Sequence, residues 1–375
     1  HVRSRRQRQM CIRDRFTVWS GSSGVLITDT IMFLVFLTAA IIGIPFIVKA
    51  AGGWIPAIQN LALSTTKPGI ISAGGNLEYL YPTGAENITW AVTYGIVWAL
   101  VVMISPWQTS RYLMAKDEKT VLKSAVWSSA LVIMITTLLY FSAAFVQSIN
   151  PDLVASQSII WAAMNLMPKL VGVVLLTGIL AAGISSASTF LSLIGFSITN
   201  DLMNLKGGEV DKQLRISRVG MIGASVLVLI LAYFNPPQIF WIMYFGGTVI
   251  ASSWAVVALG SVWSKKLSSM GAFLGMLLGF VGCVGVKSYS VMMSVTLPIW
   301  ADSFFIGILL SIIGAAVGSI VWPKSDAEQK EQNQLKTEVE SVDGIHKYGI
   351  AYLGFAVAFT LFMLCMYVFP YVEAL

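Results

Sequence analysis

Charge, histidine and cysteine are all scarce in this chain, and each scarcity closes off a class of function. Only 11% of the 375 residues are charged, against 56% hydrophobic. A soluble globular domain carries about a quarter charged residues, so that class is excluded. The two histidines, His1 and His346, lie outside the apolar runs, which removes most metalloprotease and proton-relay chemistry inside a membrane. Cys11, Cys283 and Cys365 are scattered singly, so neither a metal knuckle nor a disulfide framework is indicated. No paired carboxylates and no Ser/His set occur in the apolar runs, which argues against an intramembrane enzyme. The net charge of +6 sits mostly on Lys and Arg between the runs and calls for no nucleic acid.

What is present is a series of apolar segments of about twenty residues, each long enough to cross a hydrocarbon core of roughly 30 Å. Nine are expected, at about 25–48, 88–111, 121–145, 169–202, 216–234, 239–263, 270–286, 304–322 and 348–369. The fold class is therefore an all-α polytopic membrane protein in a lipid bilayer. Residues 50–87 read as a loop rich in Gly, Pro and Ser. Residues 151–167 read as an amphipathic stretch at the interface, and 323–347 as a charged, Gln-rich linker forming a solvated loop or a surface helix.

Lys and Arg alternate from one connection to the next. They are dense after the second (Arg111, Lys116, Lys119, Lys123), fourth (Lys206, Lys212, Arg215, Arg218), sixth (Lys265, Lys266) and eighth (Lys324, Lys330, Lys336, Lys347) runs, and sparse in the others. The dense set is therefore cytoplasmic, and the start of the chain lies inside. Residues 1–15, basic and without an initial Met, read either as a non-native lead or as a natural basic arm.

Three places depart from uniform apolarity. In the fourth run, Gly178 to Asp201, aliphatics give way to Ala, Gly, Ser and Thr. On a helix, Ala182, Ser185 and Ser186 stand at i, i+3 and i+4, so one carbonyl and two hydroxyls share a stripe near the midplane. One reading is packing, because Gly178, Ala182 and Ser186 repeat at four-residue spacing as small residues do where helices approach in lipid. The other is a site for a hard cation, which takes oxygen ligands. In the first run, Asp29 is either a carboxylate on an ion path or an interfacial residue at the helix start. In the second, Pro106 lacks an N–H and predicts a kink or opening just before it. Trp98 and Tyr94, one turn apart above it, could face a ligand or be packing aromatics.

Taken together, these segments resemble the sodium:solute symporter family, the group that includes the sodium/proline, sodium/pantothenate and sodium/glucose transporters. The resemblance is carried by Phe16-Thr-Val-Trp-Ser-Gly with Thr28-Asp29, by Ser105-Pro106 with Arg111 and Ala115, by Gly178 to Asp201, and by Gly271-Ala-Phe-Leu-Gly-Met. It implies a partial five-plus-five inverted-repeat (LeuT-like) transporter fold. It also implies that Na⁺, the coupling ion, is held by Ala182, Ser185 and Ser186, with Asp29 on its inward path. Trp98, Pro106 and Tyr244 would line the site of a small organic solute.

Two positions depart from the sodium/proline pattern, Val102 and Ala255, and weaken proline as the substrate. By the same likeness the first run is the fifth helix of the core, so the broken first helix would lie upstream as missing N-terminal helices of the same protein. The domain organisation expected is 1–15 as a lead, 16–322 as the transporter core, 323–347 as a cytoplasmic linker and 348–375 as a last transmembrane helix. The function implied is sodium-coupled symport across the cytoplasmic membrane. The alternatives are a proton-coupled symporter of the same fold, with Asp29 carrying the proton, or a transporter-like sensor that moves nothing.

Overall fold

The computed structural model describes residues 21–66, 70–71, 84–112, 115–203, 210–233, 239–295, 297–337 and 344–375. The expected lead at 1–15 and the motif residues 16–20 lie outside the described residues. Among those described there are helices and no strand, and nine helices are long and apolar enough to cross a membrane. Contacts divide the chain into two compact units, the first from the described parts of His1–Leu77, Lys123–Asn235 and His346–Leu375, the second from Glu78–Leu122 and Pro236–Ile345.

The first unit is assembled from both ends of the sequence. It holds α1 (Gly21–Ala50), the short α2 (Trp54–Ala62), and α5 (Glu118–Ile149) from Lys123 onward. It also holds α6 (Ser158–Asn165), α7 (Lys169–Phe196), α8 (Val210–Tyr233), α13 (Ile345–Met363) from His346 onward, and α14 (Phe369–Ala374). Its core gathers Ile47 of α1, Ile58 and Leu61 of α2, Phe145 and Val146 of α5, Ala162 of α6 and Leu175 of α7. Helix α2 lies in what reads from composition as loop. Trp54, Ala57, Ile58 and Leu61 fall at i, i+3, i+4 and i+7, so one face is apolar and is buried.

Trp54 packs tilted against Phe141 and edge-on against Phe145, with ring centroids 5.3 and 5.1 Å away, and its Nε1 donates to the carbonyl of Met366, 2.7 Å away. Tyr367, next in the chain, donates its hydroxyl to the carbonyl of Ile71. Met366 and Tyr367 lie in the π-helical turn Leu364–Val368, where the altered register re-aims the backbone.

The second unit holds α3 (Gly84–Ile104), α4 (Pro106–Tyr112), α9 (Ile239–Trp263), α10 (Ser269–Met293), α11 (Ser303–Val321) and α12 (Asp326–Thr337). The expected break falls at Ser105, the one non-helical residue between α3 and α4. Ser105 N still donates to Val101 O at 2.9 Å, but Pro106 has no N–H for the next carbonyl. Helix α9 is unbroken over its polar stretch. Thr248, Ser252 and Ser253 are buried and bond to carbonyls of their own helix at 2.7, 3.3 and 2.5 Å, so this face serves close packing.

The charged linker contains a helix that is docked. Glu328 of α12 accepts from the backbone N–H of Ser269 (3.1 Å), from the Ser269 hydroxyl, and from the N–H of Ser325 (2.7 Å). Gln332 donates to the carbonyls of Ser261 (2.9 Å) and Ser264 (3.2 Å) at the end of α9. The Ser269 hydroxyl first, and then the two N–H groups, hold the Glu328 carboxyl down to about 2 from its ordinary 4.5.

A depressed native pKa stabilises the docked state above the unfolded value, and that stabilisation fades as pH falls from 4.5 toward about 2. Hydrogen exchange over Asp326–Thr337, corrected for intrinsic rates, is expected to stay slow from pH 8 to about pH 5 and to accelerate below that. Glu328→Gln is expected to show the fast exchange already at neutral pH. Unchanged protection in that variant would mean that the carboxylate does not hold the helix.

Candidate functional site

Two sets of residues were singled out by sequence, and the structure treats them differently. The first lies wholly in the first unit, where α1 packs along α7. At Gly178 the approach is close: a Cβ there would stand 3.0 Å from Phe36 Cα. Gly178 therefore does the work of the packing reading. Ala182 and Ser186, the other members of that four-residue repeat, are exposed. Ser185 turns toward α1, half-buried, and its hydroxyl donates to Asp29 Oδ1 at 2.5 Å. Thr189, one turn on, donates to the Ser185 carbonyl at 3.0 Å.

The sequence separates Asp29, near a helix end, from a serine pair at mid-membrane; the structure puts them in contact. Asp29 stands eight residues into α1, about 12 Å along the axis, and the antiparallel α7 brings Ser185 to that level. A charge-assisted hydroxyl–carboxylate bond is about twice as strong as a neutral one. It fixes two hard oxygen groups side by side in an apolar wall, with the Ser186 hydroxyl one residue away. This donor chemistry suits an alkali cation. Among the described residues no three His, Cys, Asp or Glu side chains cluster as a transition metal would require.

The second set lies in the second unit. Trp90, Tyr94 and Trp98 form a ladder at four-residue spacing on α3, with centroids 5.5 and 6.3 Å apart, and Tyr94 stacks on Tyr244 (5.6 Å) and Phe240 (5.8 Å) of α9. Tyr244 is buried in the cluster that also holds Val97 and Val101. Each such ring pair contributes about 0.5–1.5 kcal/mol beyond area burial, so Tyr94 and Tyr244 hold the two helices together.

Trp98 differs. Its Nε1 is buried without a partner among the described residues, and so is the Oγ of Ser105. The two stand seven residues apart, hence on one face of α3, and Pro106 follows at once. Buried polar atoms without partners are rare in native proteins, and each calls for a partner outside the described residues, be it water, ion or solute. In the sequence Ser105 stands out only as Pro106's neighbour; its orphaned hydroxyl is a signal that burial alone reveals.

The sequence matches the profile of the sodium:solute symporter family over residues 10–279. The chain belongs to that family. The resemblance read from the motif segments is thereby borne out, and the family is one of symporters, not of enzymes. A curated relative, the sodium/pantothenate symporter of Escherichia coli strain K12, is 24% identical over 313 residues. That match covers 82% of this chain and 62% of the relative, so the chain spans less than two thirds of that symporter's length. As a member of the sodium:solute symporter family with nine membrane-length helices among its described residues, the protein is a multi-pass integral membrane protein.

Proposed function

We propose that the protein carries out sodium-coupled symport of a small organic solute across the cytoplasmic membrane, within a five-plus-five inverted-repeat fold. The observation that carries this reading is the 2.5 Å bond between Ser185 and Asp29. It joins the intramembrane carboxylate to the hydroxyl pair that family likeness assigns to the ion. Na⁺ would take oxygens from the Ala182 carbonyl, Ser185 and Ser186, with Asp29 supplying charge beside them. Exposed Ala182 and Ser186 would complete such a cage with a further helix of the same fold. Solute would lie against Trp98, Ser105 and Pro106. The buried donors Nε1 of Trp98 and Oγ of Ser105 favour a solute that presents a hydrogen-bond acceptor. Sodium drives transport only by stabilising one conformer over the other, because equal affinity shifts nothing.

The same bond also favours a second reading, in which Asp29 carries a proton in place of Na⁺. Uptake of a panel of labelled solutes, pantothenate among them, into vesicles bearing the transporter separates the two. With an inward Na⁺ gradient and equal pH, accumulation is expected to exceed the choline control by at least tenfold. Accumulation that follows an inward proton gradient and ignores Na⁺ would replace sodium coupling with proton coupling. No accumulation under either gradient would leave the chain as a sensor.

A further inference from the structure

At the ends of α9 and α11 that the Lys/Arg distribution assigns to the cytoplasm, the second unit has a cleft of about 430 Å³ lined by none of the residues proposed for ion or solute. Its walls are apolar: Val256 and Gly260 of α9, Leu267 of the connection, Ala315 and Ala316 of α11. Its mouth is polar, with the hydroxyls of Ser264 and Ser319 and the side chain of Lys266. The volume is that of pockets that hold small molecules, roughly 300–1,000 Å³.

The electrostatics of the mouth are one-sided. Lys265 and Lys266 are exposed, and among the described residues no carboxylate pairs with either. The nearby Lys324 ammonium is engaged by Gln332 Oε1 at 2.6 Å, and Glu328 is taken up by Ser269 and Ser325. Trp263 and Trp322, which end α9 and follow α11, are 72% and 51% exposed. Exposed tryptophans at helix ends mark the headgroup level of a bilayer. The cleft thus runs from that level about two helical turns into the hydrocarbon, from Trp263 back to Val256. An apolar slot, the unpaired Lys266 among its lining residues and Lys265 next to it in the chain match one molecule shape: an acyl chain under a phosphate.

We propose that this cleft binds one anionic phospholipid of the inner leaflet, its acyl chain against Gly260 and Ala316 and its phosphate on Lys265 and Lys266. Ser264 and Ser319 supply hydroxyl donors to the phosphate oxygens. Bulk zwitterionic lipid would fill the slot without using the lysines, since a phosphocholine headgroup brings its own cation. Basic sites between transmembrane helices on the cytoplasmic side select anionic headgroups on this principle.

Native mass spectrometry of the detergent-purified protein, titrated with phosphatidylglycerol or phosphatidylcholine of identical acyl chains, tests the assignment. The wild type is expected to retain a single phosphatidylglycerol at least fivefold more than phosphatidylcholine. Lys265→Gln/Lys266→Gln should bring that ratio to parity. Lys116→Gln/Lys119→Gln, the same charge change on another connection of like sign, should leave it intact. Ala316→Trp, at an exposed position on the cleft wall, should remove the retained lipid whichever headgroup it carries, with unchanged elution volume as the check on folding.

A wild type without headgroup preference, a double Lys265/Lys266 variant that keeps it, or lipid retained in Ala316→Trp would overturn the proposal. So would a dimer mass that disappears in Ala316→Trp, because a second copy would then occupy the slot.

Discussion

Replacing Ser185 with alanine is expected to raise the sodium concentration for half-maximal uptake about tenfold or more while leaving the amount of folded protein close to wild type. A hydrogen bond to a charged group contributes about 1.5–3 kcal/mol, and 1.4 kcal/mol is already a factor of ten in affinity. Ser185 is bonded to Asp29, so its removal takes away a proposed ligand and a hydrogen bond to the carboxylate beside it. Ser186→Ala should shift sodium dependence in the same direction. Asp29→Asn should also weaken it, and because the two groups touch, the Asp29→Asn/Ser185→Ala double variant should be less impaired than the sum of the singles. Sodium curves that superimpose on wild type in Ser185→Ala and Ser186→Ala would dispose of the site.

A second large effect is expected in the second unit, where α10 is wedged between its neighbours. A Cβ at Gly279 would stand 2.7 Å from the carbonyl oxygen of Ser252 and 2.8 Å from Ser253 Cα. Both are backbone atoms of α9, so no side-chain rotation relieves the clash. Overpacking a tight site costs about 1–3 kcal/mol even when neighbours can adjust. Gly279→Leu is therefore expected to cut folded, monodisperse protein to less than about a tenth of wild type. Gly285, six residues on in the same helix, has nothing within 4 Å of its Cβ position. Gly285→Leu should express normally. Equal yields from the two would show that the seam between α9 and α10 can open to admit a side chain at Gly279.

These expectations draw on information of different origins. The nine spans are legible in sequence because hydropathy over twenty residues is a local quantity; the sixth, expected at 239–263, is α9 at Ile239–Trp263. The interruption at Ser105 is equally local, since a missing N–H is covalent chemistry. Helix α2 was legible and overlooked. Its apolar spacing is regular, but Gly52, Gly53, Pro56 and Ser64 around it favour a loop by composition. The contact between Asp29 and Ser185 was not legible, because the residues are 156 positions apart and their depth depends on how α1 slides along α7. The docking of α12 was hidden for a similar reason: Glu328 and Gln332 look solvated by type and are held by partners 59 to 71 residues away.

The bond from Trp54 to Met366, with Tyr367 reaching Ile71 beside it, spans some three hundred residues of chain. Side chains of α2 are thus latched by a segment made about three hundred residues after it, and the core around Phe145 stays unsealed until Tyr367 has left the ribosome. Closure of this core then lags the synthesis of α2 by about three hundred residues, so α2 reaches its final packing long after it has formed.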